Sequence, residues 1–119
     1  MAVLYPNVLI RLEGLTAAVL AAALYAFHGG GWLWFAVLFL VPDLSMLGYL
    51  AGPRVGAAAY NLVHTYTTAG VLAAVGVVTG HGFVVLCALI LGAHIGVDRL
   101  LGYGLKYPTG FKDTHLQRL

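Results

Sequence analysis

Charge is what this sequence has least of. Six Lys or Arg and four Asp or Glu make up 8% of its 119 residues, where an ordinary soluble domain carries roughly 25%. So few charged side chains cannot cover a water-facing surface, which excludes a soluble globular domain. A net charge of +2, with no basic run interleaved with aromatics, excludes a nucleic-acid partner. Cysteine is nearly absent: Cys87 alone allows neither an intramolecular disulfide nor a cysteine-rich metal site. Internal repeats and low-complexity tracts are missing too.

What is there is hydrocarbon. Hydrophobic residues make up 61% of the chain, and the mean hydropathy is +0.93. Four apolar stretches stand out: 8–27, ending in HGGG; 32–51, ending in GPR; 55–78, ending in TGHG; and one that begins at Phe83. The last has only 11 apolar residues before His94, whereas a bilayer core of ~30 Å takes about 20 at 1.5 Å each. The fourth span, 83–102, must therefore carry His94, Asp98 and Arg99 into the membrane. Gly-rich loops of a few residues leave room only for antiparallel neighbours. The expectation is all-α: a four-helix transmembrane bundle, antiparallel and up-down, forming a single integral membrane domain over 1–119 with a tail at 103–119 and the lipid bilayer as its partner.

Positive charge falls on one side of such a bundle. Arg11, Arg54, Lys106, Lys112 and Arg118 lie at or beyond the side that holds both termini, and Arg99 is near it, while HGGG and TGHG have no Lys or Arg. The positive-inside rule predicts cytoplasmic termini. The string AAALYA resembles a signal-peptide cleavage site, but Arg11 and Glu13 ahead of the apolar run cancel, so the first segment is expected to stay. Trp32, Trp34 and Tyr25 are expected as an outer aromatic belt. His28 and His81 are read as solvated loop residues and Met46 as packing. The basic tail suits anionic headgroups or could fold over the bundle mouth, bringing Asp113 and His115 to the site.

The buried polar residues gather at one level. Counted from the cytoplasmic helix ends, Glu13, Asp43, Asn61, His64, His94 and Asp98 lie roughly 6–15 Å deep. His94 and Asp98 share one face of the fourth helix, and Asn61, His64 and Thr65 share a face of the third. Gly92 and Gly96 form a GxxxG pair on the opposite face of the fourth helix, where a neighbour can approach closely. Arg11 and Glu13 point in opposed directions, so Arg11 is expected to snorkel outward and Glu13 to face the bundle. Ionisable groups at this depth cost several kcal/mol unless paired, coordinated or hydrated. Two imidazoles and two carboxylates suit a divalent metal, Zn, Mn or Fe. The expected ligands are Asp43, His64, His94 and Asp98, with Pro42 distorting the second helix. Glu13 is expected as general base and Arg99 or Lys106 as the holder of an anionic group, with Asn61 and Thr65 in support.

RLEGL (11–15), PDLSMLGYLAGPRVG (42–56), YNLVHTY (60–66) and AHIGVDRLLGYGLKYPTGFKDTHL (93–116) together resemble the bacterial small integral membrane proteins known as domain of unknown function family 4260. The resemblance covers nearly the whole chain and implies a multi-pass protein of the bacterial inner membrane, with no activity attached. A looser similarity is to inner-membrane proteins classed as metal-dependent hydrolases, which carry Pro-Asp, then His with Thr, then His and Asp near a helix end. Pro42-Asp43, His64-Thr65 and His94-x-x-x-Asp98 occur here in that order. Leu44-Ser45 replaces their second acidic residue and His64 stands single where they double it, so this similarity implies fewer ligands than two metals need.

Three functions follow from different classes. One is a metal-dependent hydrolase acting on a lipid or phosphoester at the cytoplasmic face. Another is a binding or transport module for a proton, cation or small solute, working as a homo-oligomer. The third is a b-type haem protein with His64 and His94 as axial ligands. Against all three stands a structural network of buried hydrogen bonds, with Asp43 or Asp98 paired to Arg99 to fix helix register.

Overall fold

Two of the four apolar stretches are continuous helices and two are broken. The computed structural model describes residues 5–106 and 114–116. The first stretch is α1 (Pro6–Phe27), with Pro6 at its first turn, where a missing N–H costs nothing. The last is α5 (Gly82–Leu101), closed by Gly102 at a φ of +95°. These two helices pack against each other along most of their length. Gly14 and Gly96 make this possible: a Cβ on Gly96 would stand 2.5 Å from the Gly14 carbonyl oxygen and 2.7 Å from the Ala18 nitrogen. Gly96 is thus a true close-approach position. Gly92 differs from the GxxxG expectation, since a Cβ there would meet Ala21 at an ordinary 3.9 Å.

The second stretch is not one α-helix. α2 (Trp32–Phe39) stops after eight residues, and Val41–Ala51 winds on as a 3-10 segment. Pro42 has no N–H and its ring crowds the preceding turn, so the α-helical ladder cannot run through it. The third stretch is broken at His64 and Thr65 into α3 (Pro53–Val63) and α4 (Tyr66–Thr79), bent by 44°. Thr65 caps α4, its Oγ1 accepting the Thr67 amide at 3.4 Å, a side-chain bond that competes with helix continuation. The 3-10 segment turns into α3 through Gly52 (φ +115°) and lies against it. α5 is the central element, packed on α1 and α4 and most buried of all.

Among the described residues the fold is all-α, with one isolated bridge between Lys106 and Thr114. Three helical runs are long and apolar enough to cross a membrane: α1, Trp32–Ala51 and α5; the bent α3–α4 pair makes a fourth if it is one span. Large apolar side chains such as Phe27, Leu50 and Val78 stand more than four-fifths exposed. In a bilayer that surface meets its own solvent. Tyr25 departs from the expected aromatic belt. It is 1% exposed, donates its hydroxyl to the Gly31 carbonyl, and packs on Trp32 and Phe35. It clasps the α1–α2 loop from within.

Candidate metal centre

Backbone carbonyls at the two breaks anchor the two histidines. In an α-helix the Phe39 carbonyl would accept from the Asp43 amide, and in a 3-10 helix from residue 42. The Asp43 amide donates instead to Leu40, at 3.1 Å, and Pro42 has no proton to give. The orphaned Phe39 carbonyl accepts from His94 Nδ1. At the other break, His64 ends α3 and its Nδ1 donates to the Tyr60 carbonyl at 3.0 Å. A carbonyl only accepts, so both imidazoles hold their proton on Nδ1 when neutral and present a bare Nε2.

Those two bare nitrogens point at one place. His64 Nε2 and His94 Nε2 are 3.2 Å apart. Asp43 Oδ1 lies 3.4 Å from the first and 3.1 Å from the second, and Asp98 Oδ2 lies 3.7 and 3.2 Å from them. All four atoms fall within 4.8 Å of one another. Four acceptors in this arrangement repel unless a proton or a metal ion stands between them. Metal bonds of ~2.0–2.1 Å at tetrahedral angles would set donor atoms about 3.3–3.4 Å apart. Five of the six donor–donor distances straddle that value and all six lie within 4.8 Å, so the group could close on a divalent ion. Asp98 Oδ2, buried and without a hydrogen-bond donor, is the kind of orphan that a metal satisfies. The group is able to hold a metal ion.

The shell around the donors is ordered. The Tyr60 ring stacks on His64 at 3.8 Å, nearly parallel. The Phe39 ring packs on His94 at 4.8 Å. His64 and His94 are 0% and 2% exposed, Asp98 17% and Asp43 39%, so the group is closed on the histidine side and open beside Asp43. There a cavity of about 270 Å³ is lined by Asp43, Met46, Tyr60, Asp98, Tyr103 and Lys106.

Several expectations are redistributed. Glu13 is not brought to the cluster: it is exposed on α1, because the side of that helix turned to α5 is taken by Gly14. Arg99 is buried but serves the backbone. Its Nη2 donates to the His64 carbonyl and its Nη1 to that of Tyr103, both at 3.0 Å, so it braces the α3–α4 break. Thr65 is a helix cap beside the group. Asn61 holds the tail: its Nδ2 donates to the Lys106 carbonyl at 2.7 Å, and its Oδ1 accepts the Lys106 amide at 2.6 Å. The Lys106 side chain then lies with Nζ 4.5 Å from the Tyr60 ring centre, on the cavity wall. Burial holds its ammonium pKa below the ordinary value, against the opposing pull of Asp98.

His115 does not join the metal group. Its Nδ1 accepts the Leu105 amide at 2.7 Å and its own amide donates to the Leu105 carbonyl at 2.8 Å. Asp113 lies outside the described residues. His28 and His81 are exposed in the loops, as expected. A haem between His64 and His94 does not fit, because a macrocycle cannot stand between nitrogens 3.2 Å apart that also converge on two carboxylates. Tyr60 and Tyr103 were missed, and Met46, read as packing, lines the same cavity. For Tyr60 the signal was present, four residues before His64 on the same helix face.

No curated protein and no solved structure matches this chain. A family model does match, over residues 7–119, and the chain accordingly belongs to the family described as domain of unknown function DUF4260.

Proposed function

We propose that this chain is a multi-pass membrane hydrolase that holds one divalent metal ion, zinc foremost, on Asp43, His64, His94 and Asp98, and cleaves a phosphoester in the cavity beside them. We infer too that it forms a single domain crossing a bacterial inner membrane four times, antiparallel, with both termini cytoplasmic. The distribution of Lys and Arg supports that orientation.

The observation that carries the metal reading is the convergence of two Nε2 lone pairs and two carboxylate oxygens at 3.1–3.7 Å, each imidazole committed through its Nδ1 to a carbonyl. When bound, the ion supplies a Lewis acid that lowers the pKa of water to about 7, so the exposed Glu13 is not needed as a base. Asp43, the most exposed ligand, borders the open side on which a further ligand can bind. Two carboxylates neutralise a divalent ion, and the Lys106 ammonium adds positive charge on the cavity wall. It orients an anionic group against the metal. Water then adds across the P–O bond, its hydroxyl going to phosphorus and its proton to the leaving oxygen. The His64–Tyr60 stack and the Phe39 and Tyr60 carbonyls keep the histidines aimed.

The test is elemental analysis of protein purified without chelator, with a phosphomonoesterase assay on the same samples. About one zinc per chain is expected, falling to background in His94→Ala and Asp98→Ala together with activity. Equal, substoichiometric metal in all three would sink the metal; full zinc without turnover would sink the hydrolase alone.

A further inference from the structure

The 3-10 segment Val41–Ala51 divides two different environments. With three residues per turn, side chains three apart stack in columns: Val41 with Leu44, Pro42 with Ser45, Asp43 with Met46. The first two columns line an apolar cavity of about 490 Å³, closed on its far side by Val63, Leu72, Cys87 and Ile90. The third column lines the polar cavity beside the metal ligands. One turn of backbone separates the two. An α-helix, with 3.6 residues per turn, would smear these columns around the axis.

The occupant of the apolar side follows from where it opens. Val41 and Leu44 on its rim are 45% and 61% exposed. In a span of this hydropathy such exposure is to hydrocarbon, so an alkyl chain is what fills the cavity. Its size lies within the ~300–1,000 Å³ usual for a small-molecule site. Across the wall, the 270 Å³ polar cavity has room for several water-sized groups at about 30 Å³ each, more than a carboxylate fills. Lys106 adds positive charge there. A phosphate ester offers one oxygen to the metal and another to the ammonium.

We propose that the centre takes a phosphate-headed amphiphile from the bilayer, its alkyl chain in the apolar cavity and its head turned over the Asp43 edge of the 3-10 wall onto the metal and Lys106. The head half rests on the metal reading above; the chain half rests on the cavity.

Cys87 lines the apolar cavity and is the single cysteine of the chain, so its alkylation by N-ethylmaleimide reports occupancy by intact mass. Full-length zinc-loaded protein in phosphate-free galactolipid nanodiscs is to be doped with dodecylphosphonate, whose C–P bond the centre cannot hydrolyse, with dodecanol or with laurate, or exposed to inorganic phosphate. Dodecylphosphonate is expected to slow alkylation about tenfold, dodecanol and laurate less, and inorganic phosphate not at all. Asp98→Asn should bring dodecylphosphonate down to the level of dodecanol without removing the protection. Leu72→Trp should fill the cavity and erase every probe's effect while zinc content stays that of the wild type. No protection by any amphiphile in zinc-loaded wild type overturns the proposal, as does laurate equal to dodecylphosphonate. Zinc content on the same samples separates the two failures: zinc-free wild type overturns the metal, and fully loaded protein without protection overturns the amphiphile.

Discussion

α5 has two neighbourhoods, and they are built by opposite means. Toward α1 it meets an unbroken helix through Gly14 and Gly96, backbone against backbone, and every peptide group in the contact is satisfied within its own helix. Toward α2, the 3-10 segment, α3 and α4 it presents His94 and Asp98 to chain that is interrupted twice. At membrane depth an unsatisfied carbonyl costs several kcal/mol, so each interruption must find a donor. The Phe39 carbonyl takes His94 Nδ1 and the His64 carbonyl takes Arg99, while the Tyr60 carbonyl, already bonded to the His64 amide, also holds His64 Nδ1. Continuity gives α1–α5 its rigidity and no chemistry. The breaks use those same backbone groups to fix which nitrogen of each histidine is bare.

The largest break in this contrast should come from the broken side alone. His94→Ala or Asp98→Asn is expected to weaken zinc binding by more than about 100-fold, beyond what outer-shell changes cost, while far-UV circular dichroism still reports intact helices. Retained stoichiometric zinc in both would remove the contrast. The mirror experiment is Gly96→Leu. A side chain there collides with the Gly14 carbonyl and the backbone of Ala18, neither of which can yield as a side chain tip can. Overpacking of this kind costs about 1–3 kcal/mol, read as a lower thermal midpoint in detergent. Zinc should be lost only as the fold is lost, so a metal-free but native-melting Gly96→Leu protein would show the two neighbourhoods to be coupled.

The same contrast explains what the sequence made legible. Span length put His94 and Asp98 in the last long apolar helix, where Gly82–Leu101 carries them, and the i, i+4 rule put them on one face; the four ligands named from the sequence are the four that converge. α1 and α5, being continuous, run close to the apolar stretches read for them. The broken spans were read as continuous because hydropathy averages over a break: Trp32–Ala51 passes as one apolar run although its 3-10 half is less apolar than α2. Pro42 signalled distortion but not the 3-10 winding, which depends on packing against α3. Glu13 failed for a related reason: with two sides of α1 available, the choice belonged to Gly14, whose only signal is the absence of a side chain. Tail-to-core bonds such as Asn61 with Lys106 are 45 residues apart and leave no local pattern.

Pro42→Ala sharpens the comparison by asking whether the break is worth more to the site than to the fold. Alanine restores an N–H at position 42 and removes a residue that costs about 3 kcal/mol inside a helix. The 3-10 segment gains the option of continuing α2, and the Phe39 carbonyl regains a backbone donor. His94 then loses its fixed tautomer and Asp43 its place on the wall. Zinc affinity is expected to fall about 10–100-fold while metal-free stability holds or rises. A variant that loses both would show Pro42 to be structural only.

The smallest effect belongs to the tail clip, the one broken-side element that lies outside the spans. His115 Nδ1 accepts the Leu105 amide only when it carries no proton. Burial pushes the His115 pKa below its ordinary 6.5, and Arg99 adds to the depression. The folded form therefore binds a proton less readily than the released tail. Clip stability is complete above pH 6.5 and declines as pH falls through and below that value. Hydrogen exchange at the Leu105 amide should accelerate in that window, well before exchange along α5 changes, and His115→Gln should flatten the dependence. Acceleration of α5 amides at the same pH would mean that the tail is no separate device, and that the metal group and its roof open together.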